Sequence, residues 1–139
     1  MARKRRISVV NDYPAFLDMI SEALTGEGYE VQALPKHQDA FEQIKSWAPD
    51  AIVLDLVLGN AEVGWGLLDQ IKFDPELGRL PILLCSAATR EIREVAPSLR
   101  SKGIDFLEKP FELEIFLQKL DKLIERAKQD GVAQKGEGG

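Results

Sequence analysis

Residues 51–60, AIVLDLVLGN, decide the fold. Five residues, Ala51 to Asp55, are apolar except the last, and the run is too short for a helix of ordinary length. A strand that is apolar on both faces belongs in a parallel sheet covered on both sides. A carboxylate in such a strand is costly unless it is paired or bound to a cation. Asp55 therefore marks the strand's end and calls for a partner.

Working outward, the same alternation repeats on either side. RISVVN (6–11) reads as a short buried strand, and PAFLDMISEALTGEG (14–28) as a helix with Pro14 at its start and glycines at its stop. YEVQAL (29–34) is a strand and QDAFEQIKSW (38–47) a helix. After 51–55 come a helix from GWGLLDQIK, a strand ILLCSA, and a helix from TREIREVAPSLRSKG that Pro97 should kink or restart. DFLE is a fifth strand. ELEIFLQKLDKLIERAK carries the clearest apolar stripe, with Leu113, Phe116, Leu117, Leu120, Leu123 and Ile124 on one face. Five strands alternating with five helices predict a three-layer α/β domain with a flavodoxin-like parallel sheet, order 2-1-3-4-5. The domain is expected over 5–128 as a stand-alone unit, after a basic segment 1–4 and before a tail, 129–139, too polar to pack and expected to be disordered.

Composition narrows the function. The 139 residues are 45% hydrophobic and 29% charged, with a net charge of -5, which argues against a chain built to grip nucleic acid or an anionic membrane. No apolar run nears the roughly 18 residues of a membrane span, and the run after Arg6 is too short for a signal-peptide core. The single cysteine, Cys85, excludes an internal disulfide and reads as a small core residue, which fits a reducing cytoplasm. The single histidine, His37, falls after the second strand and reads as a surface residue away from the acidic edge.

In such folds ligands bind beyond the carboxyl ends of the strands. Asn11 and Asp12 follow the first strand, Asp55 ends the third, Ser86 the fourth, and Lys109 and Pro110 follow the fifth. Neighbouring strands lie about 4.8 Å apart, so Asp12 and Asp55 become close like charges that a cation would neutralise. Carboxylate and carbonyl oxygens suit Mg²⁺, and a hydroxyl and an ammonium suit phosphoryl oxygens. The glycines of GWGLLD do not form a dinucleotide fingerprint, and NDYPAFL is not the Ser/Thr/Gly-rich loop a flavin phosphate would need.

With VVNDYP, IVLDLVL, CSA and FLEKPF in this order, the chain resembles a response regulator receiver domain over roughly residues 5–128. The resemblance implies that Asp55 accepts a phosphoryl group from a histidine kinase or histidine phosphotransfer protein. It implies that Asp12, Asp55 and the Val57 carbonyl hold Mg²⁺, with Asn11 acting through water. Ser86 and Lys109 would bind phosphoryl oxygens, Ser86 and Phe106 would form the switch, and Pro110 would follow a cis peptide. Such a chain is a cytoplasmic signalling protein rather than a conventional enzyme. It acts on a downstream protein target, without direct nucleic-acid or membrane contact, as a monomer or weak homodimer. Asn11 replaces a customary second acid, and LVLGNAEVGWG lacks a customary proline and is one residue long for its place. Both departures leave open an alternative: a pseudo-receiver that binds a protein partner without taking phosphate.

Overall fold

A computed structural model describes residues 4–56, 61–87 and 90–138, with 61–63, 90–91 and 129–138 described as backbone only. The elements run β1 (Arg6–Val10), α1 (Pro14–Gly26), β2 (Glu30–Leu34), α2 (Ala40–Trp47), β3 (Ala51–Asp55), α3 (Ala61–Phe73), β4 (Ile82–Ala87), α4 (Arg90–Ser101), β5 (Ile104–Lys109) and α5 (Leu113–Gly138). A 3₁₀ turn, Leu77–Arg79, leads into β4. All strand pairs are parallel, in the order β2-β1-β3-β4-β5. This is the flavodoxin-like winding predicted from the strand pattern.

Each strand feeds two cores because successive side chains point to opposite faces. In β3, Ile52 and Leu54 pack with Ile44, Leu68 and Ile92 under α2, α3 and α4. Ala51 and Val53 pack with Leu17, Ile20 and Phe116 under α1 and α5. The central strand is thus buried at all five positions, which explains its lack of polar alternation.

Sharp turns return the chain to the sheet. Gly28, at φ +94°, and Gly103, at φ +81°, adopt the left-handed backbone that favours glycine, just before β2 and β5. Pro14 occupies the first turn of α1, where its missing N–H has no intrahelical partner to lose.

The helix around Pro97 does not restart; α4 runs Arg90–Ser101 with the proline inside it. Pro97 and Arg93 lie on the exposed face, so water can satisfy the Arg93 carbonyl that loses its donor. Beyond residue 128, over the segment that the sequence reads as a tail, the backbone is described as helix to Gly138. Adding a residue to a formed helix fixes few dihedrals per hydrogen bond gained, so a polar segment can extend one without packing.

Candidate functional site at the carboxyl edge of the sheet

Asp55 is the last residue of β3 and is 3% exposed. Its register partner on β4 is Cys85, whose own partner on β5 is Leu107. Counting by twos along the strands, Asp55, Cys85, Leu107 and Lys109 face the α1/α5 side. Lys109 reaches from the end of β5 and donates from Nζ to Asp55 Oδ1 as an ion pair. Its ammonium also lies 5.4 Å from the centroid of Phe16 on α1, and Phe16 meets Phe111 edge-on at 5.7 Å between centroids. The Lys109–Pro110 peptide is cis.

The buried carboxylate is felt by its neighbour. Burial first, and then the negative charge of Asp55, push the Cys85 thiol up to about 12, against a smaller opposing pull from Lys109. Cys85 is a core residue here, not a nucleophile.

Asn11 and Asp12 split in role. Asn11 is buried, and its Oδ1 accepts from the Tyr13 amide at 2.8 Å. That bond closes an Asx turn, which swings the chain from β1 into α1. Asp12 is exposed, and among the described residues its carboxylate has no hydrogen-bond or ion-pair partner. It does not cap α1, whose N-cap is Tyr13 without a side-chain bond.

Ser86 is buried, and its Oγ donates to the Ala87 carbonyl at 3.1 Å. By register it faces the α4 side, the face that also holds Phe106. Phe106 is 9% exposed, with the Arg100 guanidinium 5.5 Å from its ring centroid. The two named switch residues therefore share one face of the sheet, and the acceptor and lysine share the other. Val57 and the loop over 57–60 lie outside the described residues.

A metal at this edge would find oxygen donors of the hard kind: the free Asp12 carboxylate and the Asp55 oxygen that Lys109 does not take. Among the described residues no group of three or more His, Cys, Asp or Glu side chains forms a cation site. Two carboxylates with the remainder water and main-chain oxygen fit Mg²⁺, which keeps several waters, better than zinc or calcium.

His37 corrects the sequence reading. It is half-buried, not free at the surface, and it lies at the acidic edge: its Nε2 is 2.9 Å from the Asp55 main-chain carbonyl oxygen. Residue 37 is only three beyond the end of β2, and the loop folds back across β1, a path that strand periodicity does not reveal. Gly64 on α3 was likewise not singled out. A Cβ there would stand 2.5 Å from Leu56 Cδ2 and 3.8 Å from the Asp55 carbonyl oxygen. Its glycine lets α3 close against the end of β3.

Known proteins agree with this geometry. The model of the response regulator receiver domain matches residues 7–121. The response regulator MprA of Mycobacterium bovis is 32% identical over 129 residues, covering 93% of this chain and 54% of that protein. The DNA-binding dual master transcriptional regulator RpaA of Synechocystis is 31% identical over 127 residues, covering 87% and 49%. The chain thus spans about half the length of these curated relatives. Among solved structures, the receiver domain of NtrX from Brucella abortus superposes with a TM-score of 0.71 at 30% identity, over 86% of this chain and 98% of that one. Chemotaxis protein CheY4 of Vibrio cholerae, at 21% identity, shares the fold with a TM-score of 0.73 over 86% and 98%. Sheet order, edge residues and matched span lead to one conclusion: this chain belongs to the response regulator receiver domain family.

Proposed function

We propose that the chain is a phosphoacceptor of a two-component or phosphorelay system, modified on Asp55 by a histidine kinase or a histidine phosphotransfer protein. The observation that carries this reading is the buried Asp55 carboxylate, held by Lys109 and standing at the edge where Asp12 is left without a partner. In line with that, a carboxylate oxygen of Asp55 attacks the phosphorus of a phosphohistidine. The new O–P bond forms as the P–N bond breaks, and the electron pair leaves on the imidazole nitrogen. The product is an acyl phosphate.

Bound Mg²⁺ would neutralise negative charge on the phosphoryl oxygens, held by Asp12, Asp55 and the Val57 carbonyl, with Asn11 acting through water. Lys109, paired with Asp55, would pass from the carboxylate to a phosphoryl oxygen. Ser86 would exchange its Ala87 carbonyl for another, and Phe106, on the same face, would follow. This is signalling by modification rather than turnover of a substrate. Transcriptional control is a property of the relative RpaA; for this chain a downstream protein target is proposed, with no direct nucleic-acid contact. Among the described residues no helix is long and apolar enough to cross a membrane, which accords with a cytoplasmic protein.

The pseudo-receiver reading draws on two bonds: Asn11 is committed to the Tyr13 amide and Ser86 to the Ala87 carbonyl. One titration separates the two. Mg²⁺ is added while tryptophan fluorescence is followed, Trp65 being the candidate reporter, and acetyl phosphate is then supplied. The phosphoacceptor gains the mass of one phosphoryl group, and Asp55→Asn does not. An unchanged mass with no response to Mg²⁺ favours the pseudo-receiver.

A further inference from the structure

His37 joins the acceptor to an element that the usual site residues do not include. The Ile52 amide donates to the Pro81 carbonyl at 3.1 Å and the Leu56 amide to the Cys85 carbonyl at 2.9 Å. Even-numbered residues of β3 thus direct their main-chain groups toward β4, and by alternation Asp55 directs its own toward β1. The β1 ladder, however, stops with Val10 paired to Leu54. Asn11 keeps the alternation and donates its amide to Leu34 on β2, at 3.0 Å, and the Asx turn then carries off Asp12, whose amide would be the next to face β3. The Asp55 carbonyl is left aimed at a rung that β1 does not supply. His37 supplies the donor, at 2.9 Å. Because a carbonyl only accepts, Nε2 carries the hydrogen.

The same residue starts α2. The His37 carbonyl accepts from the Ala40 amide at 3.2 Å, and Asp39, at φ +63°, makes the left-handed turn that opens the helix. A non-glycine residue in that region is held there by its surroundings. One residue therefore bonds the α2 entry through its main chain and the acceptor through its ring.

Resting on the phosphoacceptor reading, we infer that His37 is a positioning residue for Asp55. Its ring N–H replaces the missing rung, fixes the main chain at the end of β3, and so aims the carboxylate that Lys109 holds from the other side. The bond goes to the main chain, so it survives any exchange of partners at the carboxylate. Asp55 is positioned by a strand on one side and by a side chain on the other.

The test uses the full chain, in which this histidine is the single one, so its ring nitrogens give unambiguous ¹⁵N signals. The expected wild-type spectrum shows a proton resident on Nε2. Acetyl phosphate uptake is followed by mass with Mg²⁺ present, alongside amide hydrogen exchange at Asp55 and Leu56. His37→Ala is expected to slow uptake about tenfold, as a modest misplacement of a reacting group does, and to speed exchange at both amides. His37→Gln, whose amide nitrogen can stand where Nε2 stood, is expected to restore most of both. A lower melting temperature in His37→Ala with unchanged uptake overturns the role, as do Gln and Ala variants that are equally slow. A wild-type chain that takes no phosphate overturns the acceptor reading and this role with it. Uptake by wild type and His37→Ala at one rate overturns this role alone.

Discussion

At the amino edge of the sheet, Arg6 is answered from every direction. Its Nε donates to Glu30 at 3.0 Å, its Nη1 to the Trp47 carbonyl at 2.8 Å, and its main-chain amide to Asp50 at 2.7 Å. Its guanidinium lies 5.1 Å from the Trp47 ring centroid. Nearby, Lys72 donates to the carbonyls of Gly78 and Lys102, both at 2.7 Å, and ties α3 to the turns before β4 and β5. At the carboxyl edge a buried carboxylate has one lysine, an exposed carboxylate has no partner among the described residues, and a strand carbonyl relies on a loop histidine. Both edges carry charge. One edge uses it to close the fold, and the other leaves bonding capacity for something that arrives later. A buried polar group is retained at a cost of stability unless satisfied, so the less satisfied edge is the one that function has shaped.

The largest expected effect breaks that contrast at its centre. Asp55→Asn abolishes phosphoryl uptake while keeping the fold, because the amide needs no counter-charge; its melting temperature should match or exceed that of wild type. Lys109→Ala does the reverse to stability. It leaves a buried carboxylate without its cation, a loss of about 2 kcal/mol, below the 3–5 kcal/mol of a fully buried pair because Lys109 is a third exposed. Mg²⁺ should recover part of that loss, seen as a larger rise in melting temperature with Mg²⁺ than wild type shows. Equal rises would mean that the cation does not reach Asp55.

At the amino edge, Lys72→Met should cost about 1–2 kcal/mol by stranding two carbonyls, with no change in the rate of phosphoryl uptake. Burial, and then the Lys102 charge, hold the Lys72 ammonium below its ordinary value. The two carbonyls are thus what keep it in place. If Lys72→Met also slowed uptake, the two edges would be coupled rather than separate. Cys85 sharpens the same division from within the core. With its thiol pushed up to about 12, it should resist alkylation in the native protein at pH 8 and react on denaturation, whether or not Asp55 is modified.

The division also governs what was legible in the sequence. Strand order and the edge residues Asp12, Asp55, Ser86 and Lys109 follow from alternation and from position at strand ends, because periodicity 2 and topology together dictate where such residues emerge. His37 did not follow. Its place depends on how a five-residue loop folds back over a strand that ends one rung early, and no local pattern encodes that. For Asn11 the sequence points to a metal-bound water; the bond from the Tyr13 amide shows that it also closes a turn.

The smallest expected effect concerns the Lys45–Asp74 pair, which links α2 to the end of α3 at 2.6 Å. Asp74 also accepts from the amides of Leu77 and Glu76, at 2.9 and 3.0 Å. The Lys45 hydrogen bond first, and then the Leu77 amide, hold the Asp74 carboxyl below its usual range. The same bond holds Lys45 above its own. For a lowered carboxyl, the unfolded chain takes up the proton first as pH falls. The contribution of Asp74 is therefore complete above the ordinary carboxylate value of about 3.9 and fades below it, through the folded value. For a raised ammonium, the contribution of Lys45 is complete below about 10.4 and fades above. Asp74→Asn should consequently melt at a constant interval below wild type across neutral pH. That interval should close on the acid side of about pH 4 and shrink with added salt, since the Lys45 side chain is 44% exposed. An interval unchanged at acid pH would mean that the Asp74 charge does not set it, and that the asparagine fails to reproduce the two amide bonds from Glu76 and Leu77; it would separate this edge's stability from charge altogether.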